Sequence, residues 1–270
     1  MTDSTERFRH CATLHSGFCW KNLELVDGLD ISSPSPNCRE YPIAFSRLFW
    51  KMVGVQLQKT KTMLFTKTLL QKMLQAALSA VENQLAMLNQ LDAATGDGDH
   101  GTAILAAMKA ATAAAQKEGT LKTTLETIGW DVMSNTSSST SALMGSFFIG
   151  MSQVATGEEL DALQTITIFE SGLANLRTSS RANVGDKTKM DALIPAIEAM
   201  SSLKGQSPSL PDIFSAAADA AQKGADSTKD LVAKFGRAKN LGERSRGTLD
   251  AGAVSTALIY RAYADAVAGH

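Results

Sequence analysis

The chain has 270 residues, 44% hydrophobic and 20% charged, with a net charge of −1; this is the composition of a globular protein with one sizeable core. That charge and an aromatic content of 6% give no electrostatic or stacking basis for binding nucleic acid or an anionic membrane. Cys11, Cys19 and Cys38 all lie within the first 40 residues, which excludes a disulfide framework or a cysteine zinc site from the rest of the chain.

No segment reaches 18 consecutive apolar residues, so no transmembrane helix is expected. The start carries Thr2, Asp3, Ser4 and Thr5 and no apolar stretch of the secretory kind, and a cytoplasmic location is expected. Residues 1–60 hold all the cysteines, Trp20, Trp50 and the turn-forming run Ser32-Ser33-Pro34-Ser35-Pro36-Asn37, without a period of 3.6 or 2. They read as an N-terminal extension, either without fixed structure or upstream of a natural start at Met63 or a nearby Met.

From residue 61 onwards the chain is rich in Ala, Leu, Met, Gln, Lys and Glu, and no proline falls between Pro42 and Pro195. Leu69, Leu70, Met73, Leu74, Ala77, Leu78 and Val81 recur at helical spacing. The pattern predicts helices near 64–91, 102–117, 121–134, 139–155, 158–177, 188–204, 210–222, 226–235 and 252–268. Gly119-Thr120 and Pro208 mark breaks between them. The expected fold of 61–270 is all-α, a bundle of about eight antiparallel amphipathic helices.

The run Asp92-Ala93-Ala94-Thr95-Gly96-Asp97-Gly98-Asp99-His100-Gly101 is the most specific segment. Clustered carboxylates repel one another unless a cation neutralises them. Oxygen ligands without cysteine select Mg²⁺ or Ca²⁺. No Glu occupies the twelfth position of a calcium loop of the EF-hand type, since Ala103 or Met108 stands there depending on register. His10 and His15 lie in the extension and His270 ends the chain, so His100 is the one histidine within the helical body.

Next comes Asn135-Thr136-Ser137-Ser138-Ser139-Thr140-Ser141, a run of hydroxyls suited to cap a helix and to meet a phosphate. Gly185-Asp186-Lys187-Thr188 follows, with Asp191 three residues on; it is not a P-loop. Last are Gly236-Arg237-Ala238 and Leu241-Gly242-Glu243-Arg244-Ser245-Arg246-Gly247, then Asp250-Ala251-Gly252, where arginines are placed to neutralise phosphate charge.

In order and spacing these four segments resemble the L subunit of dihydroxyacetone kinase, the nucleotide-binding domain of that kinase family, over residues 65–268. The resemblance implies a barrel of eight antiparallel helices with ADP or ATP at one end, and two Mg²⁺ ions held by Asp92, Asp97 and Asp99. It implies nucleotide contacts from His100, Gly101, Thr102, Ser137, Ser138, Ser139, Thr140, Gly185, Asp186, Arg237, Arg244, Asp250 and Gly252. It also implies a separate K subunit carrying the keto-sugar, a phosphotransfer protein in systems that rephosphorylate bound ADP, and a homodimer. The sugar it implies is dihydroxyacetone, with a tetrose such as erythrulose as the alternative. A regulator that binds ADP and docks on a partner protein without catalysis is the alternative. The sequence departs from the family at several positions: hydroxyls fill the usual Gly-Gly-x-Ser-Gly turn, Ala103 stands for Asn, Ala251 for Pro, and Lys189 for an apolar residue.

Overall fold

The computed structural model describes residues 63–135 and 138–269, with only the backbone of Asn135 described. The extension at 1–60, Ser137 and His270 lie outside the described residues.

Nine α-helices occur among the described residues: α1 (Lys67–Asn83), α2 (Leu85–Ala93), α3 (His100–Ala115), α4 (Leu121–Asn135), α5 (Ser139–Val154), α6 (Ala162–Ser179), α7 (Met190–Ser202), α8 (Leu210–Ser227) and α9 (Ala251–Ala268). A two-residue strand β1 (Phe65–Thr66) pairs antiparallel with β2 (Glu159–Leu160). Two 3₁₀ segments, Thr228–Asp230 and Arg237–Ser245, lie between α8 and α9.

Local sequence sets most helix starts. Thr66 caps α1, Asp161 and Ser209 form capping boxes with Gln164 and Asp212, and Asp250 caps α9. Each start satisfies N–H groups that the helix itself leaves free.

Apart from α2, each helix packs against its neighbour in the chain, α1 on α3, α3 on α4 and so on to α8 on α9; α9 then packs back on α1. The ring closes with eight helices, and the short α2 is an extra turn lying on α3 and α9. Inside it Phe169 contacts Phe65, Phe147, Phe214 and Tyr260 edge-on, and Tyr263 joins through Phe214. Such contacts fill the interior with aromatic area at favourable ring geometry.

Short connections make neighbouring helices antiparallel. In an up-and-down ring every second connection therefore falls at the same end. The connections at 94–99, 180–189 and 228–250 meet at one end, joined by the Arg237–Asp97 pair and the Lys187 hydrogen bonds, and the same alternation assigns the start of α5 to that end. The β1–β2 pair belongs to the other end.

The structure corrects four boundaries. The helix expected over 64–91 breaks at Gln84, whose backbone (φ −111°, ψ 12°) leaves the helical path. The start expected at 158 moves to Ala162, because Glu159 and Leu160 pair with β1. The helix expected over 226–235 is absent: α8 continues to Ser227 and only Thr228–Asp230 coils further. The end expected at 222 moves to Ser227, with Gly224 inside α8 as a packing residue. Pro195 in α7 has no N–H for the carbonyl of Asp191, four residues back. That carbonyl lies against Gly224, where a Cβ would come within 1.9 Å of it.

Gly224→Ala is therefore expected to force α7 and α8 apart and to cost about 1–3 kcal/mol. Urea unfolding of the two proteins checks this; an unchanged midpoint would contradict the close approach.

Candidate functional site

The loop after α2 is built around one carboxylate. Asp92 Oδ2 accepts from the N–H groups of Gly98 (2.9 Å), Asp99 (3.1 Å) and His100 (3.4 Å). Asp99 makes no cap of its own, so Asp92 serves the start of α3 from seven residues upstream. Gly96 is required because a Cβ there would lie 2.7 Å from Asp92 Oδ1. Gly98 is required because its φ is +79°.

The result gathers Asp92, Asp97 and Asp99, each offering an oxygen within 4.8 Å of the others. Asp92 is half-buried, whereas Asp97 and Asp99 face solvent. The donors are all oxygen and the loop already spends one Asp92 oxygen on its backbone, so the remaining carboxylate oxygens fit a hard divalent cation. Arg237 forms an ion pair with Asp97, which joins the first and last of the four connections.

His100 Nε2 lies 2.9 Å from Ser255 Oγ, in the first turns of α9. Burial, and then the charge of Lys189, push the imidazole down to about 4 against the pull of Asp92, so the ring is neutral at pH 7.

The Gly185 loop repeats the device used by Asp92. Asp191 is fully buried and accepts from Gly185 N–H (2.6 Å) and Thr188 N–H (2.7 Å). Burial raises its pKa, and the two backbone hydrogen bonds work against that rise. Asp186 takes an ion pair from Lys234 at 2.9 Å. Lys187 is buried, adopts φ +59°, and donates to the carbonyls of Thr228 (2.5 Å) and Thr248. It ties the connection at 180–189 to the one at 228–250. Thr228 Oγ1 in turn accepts from Asp250 N–H at 2.9 Å, and Asp250, pushed up to about 6 chiefly by burial, accepts from Ala253 N–H. Gly252 lies close to Lys189, 3.4 Å from Cβ to Cβ were a side chain added.

The remaining expected residues have the following surroundings. Gly101 faces α2, where a Cβ would meet the Leu85 carbonyl at 2.5 Å, and Thr102 is taken up by Asn89, which accepts from its N–H at 3.1 Å. Ser138 and Ser141 spend their hydroxyls on each other's N–H groups as a capping box, Thr140 is buried, and Ser139 is exposed. Arg244 is exposed. Ser255, Asn89 and Thr228 were missed, because each acts through a contact 13 to 155 residues away and none stands in a motif.

The family model of the DAK2 domain matches residues 94–265. The chain belongs to the DAK2 domain family. This DAK2 domain is 34% identical, over 67% of its length and 87% of the relative's, to the ADP-binding subunit of PEP-dependent dihydroxyacetone kinase 1 of Listeria innocua. It is 33% identical to the L-erythrulose kinase of Pectobacterium atrosepticum over 69% of its own length, but spans only 32% of that protein. Among solved structures it is similar to the dihydroxyacetone kinase of C. freundii in complex with AMP-PNP and Mg²⁺, with a TM-score of 0.56 and 26% identity over 78% of this chain and 36% of that one.

Lys187→Met removes the donor to two carbonyls, and about 1–3 kcal/mol is expected to be lost for each one left unsatisfied. Thermal unfolding and protease cleavage within 228–250 read this out; wild-type values for both would show that Lys187 is no latch.

Proposed function

We propose that residues 61–270 of this DAK2 domain bind ADP or ATP with Mg²⁺ at the end of the barrel that carries Asp92, Asp97 and Asp99. There the domain serves phosphoryl transfer to a small keto-sugar held by a separate K subunit. The observation that carries the reading is the gathering of those three carboxylates within 4.8 Å, at the end where topology also brings the other motif connections. The names of relatives support it: one is an ADP-binding subunit, others are erythrulose kinases, and one solved neighbour holds AMP-PNP and Mg²⁺.

Bound at those carboxylates, two Mg²⁺ ions would neutralise the phosphate oxygens and withdraw charge during transfer. The protein's own residues position the reactants. Asp92 keeps the loop folded whether or not a cation is present, because its hydrogen bonds are to backbone N–H groups. Arg237 holds Asp97; a cation that takes over Asp97 frees this guanidinium for a phosphate. His100, neutral and fixed by Ser255, offers a hydrogen bond without adding charge. The Lys187 latch holds the connection at 228–250 over this end. The phosphoryl donor is either exchanging ATP or bound ADP rephosphorylated by a phosphotransfer protein. The sugar is dihydroxyacetone or erythrulose, since both kinds of kinase are among the relatives.

Calorimetric titration with ADP, with and without Mg²⁺, tests the binding half. Metal-dependent binding by the wild type and its loss in Asp97→Ala/Asp99→Ala are expected; undiminished binding by the double variant would sink the proposal. Supplying a K subunit with each sugar tests the transfer half, and turnover of at least one is expected.

A further inference from the structure

We propose that Ser255 is a positioning residue that fixes the tautomer of His100: its hydroxyl donates to Nε2, so the ring carries its proton on Nδ1 and presents that N–H as a donor; the use of that donor rests on the nucleotide-binding reading above.

His100 opens α3 directly after the acidic loop, and its Nε2 lies 2.9 Å from Ser255 Oγ. A neutral imidazole has one donor and one acceptor nitrogen, and the hydrogen bond at one decides the state of the other. Burial keeps this ring neutral at pH 7. The direction of the contact between Nε2 and Oγ therefore sets what the ring can do.

Ser255 is 2% exposed, so bulk water does not compete for its hydroxyl. The one hydroxyl proton has two acceptors in reach, His100 Nε2 and the Gly252 carbonyl at 3.0 Å. That carbonyl is already served twice. As part of α9 it takes the N–H of Thr256, four residues on, and Thr256 Oγ1 donates to it at 2.8 Å. A carbonyl oxygen has two lone pairs, and a third donor finds none free. Nε2 is the acceptor left over, and the proton of Ser255 goes there.

The ring's own proton is then on Nδ1. This nitrogen has no partner among the described residues, and it is open to solvent: the buried polar side-chain atoms without a partner there are Thr124 Oγ1 and Tyr260 OH. It opens at the end of the barrel that carries Asp92, Asp97 and Asp99. A bare Nδ1 at that place would be a metal ligand or would take up a proton. Nδ1–H does neither. It leaves the cation to the carboxylates and can only donate, most strongly to an anionic oxygen such as that of a phosphate.

Nitrogen NMR of the whole chain at pH 7, free of ligand, reads the tautomer directly, with the His100 signals identified by their absence from His100→Asn. In the wild type Nδ1 is expected in the protonated range and Nε2 in the bare range. The reverse pattern, or two protonated nitrogens, overturns the proposal, and this reading needs no variant of Ser255 to fold. In Ser255→Ala the ring is expected to move to the Nε2–H form that a histidine side chain prefers in water, with the amide spectrum showing that the variant is folded. An unchanged tautomer contradicts the role of Ser255. Calorimetry with ADP and Mg²⁺ tests the use of the donor. Ser255→Ala is expected to bind about two- to tenfold more weakly, the effect of one net hydrogen bond; wild-type affinity in a variant whose tautomer has changed overturns that use. A wild type that binds no ADP overturns the nucleotide reading and the donor's use with it, whereas the tautomer stands or falls on the nitrogen spectrum alone.

Discussion

The site depends on parity. Eight helices pack each on its neighbour in the chain and the ring closes with α9 on α1, the arrangement of an up-and-down ring. Every second connection is then carried to the same end without any further specification. An acidic loop, a glycine loop and an arginine segment, spread over more than half the chain, meet at one end, tied by Arg237–Asp97 and Lys187. The aromatic cluster around Phe169 keeps the ring filled, so the end bearing the connections is free to be polar.

Two buried or half-buried carboxylates turn those connections into fixed loops. Asp92 accepts three backbone N–H groups and Asp191 accepts two. Both spend charge on backbone, which shapes the loop before any ligand arrives. Lys187 then binds the third of these loops to the fourth. The arrangement leaves Asp97, Asp99 and Arg237 at the surface, the charged groups that a metal and a phosphate would rearrange. It is an arrangement suited to positioning charge, and phosphoryl transfer asks a protein for little else.

The helical class and the acidic loop were legible in the sequence because both are local signals. Periodic leucines mark α1, and carboxylates among glycines mark the loop. What was not legible is set by contacts across the ring. Gly224 stands in no motif, yet it is the residue type that admits the Asp191 carbonyl freed by Pro195. The hydroxyl run reads as a helix cap and a phosphate contact at once, and the pairing of Ser138 with Ser141 as the capping box is set only in the fold. Gly101 and Thr102 face α2, a helix that the sequence does not separate from α1, because nothing at Gln84 signals a break. Ser255 has no motif to announce it and is defined only by His100, 155 residues away.

The most direct test of the account is a crystal structure with Mn²⁺ and ADP, read through the anomalous signal of the metal. The account predicts manganese about 2.0–2.3 Å from oxygens of Asp92, Asp97 and Asp99, with the ADP phosphates on those ions and Arg237 released from Asp97. Metal or nucleotide bound at the β1–β2 end, or ADP bound with no metal at the three carboxylates, would contradict it.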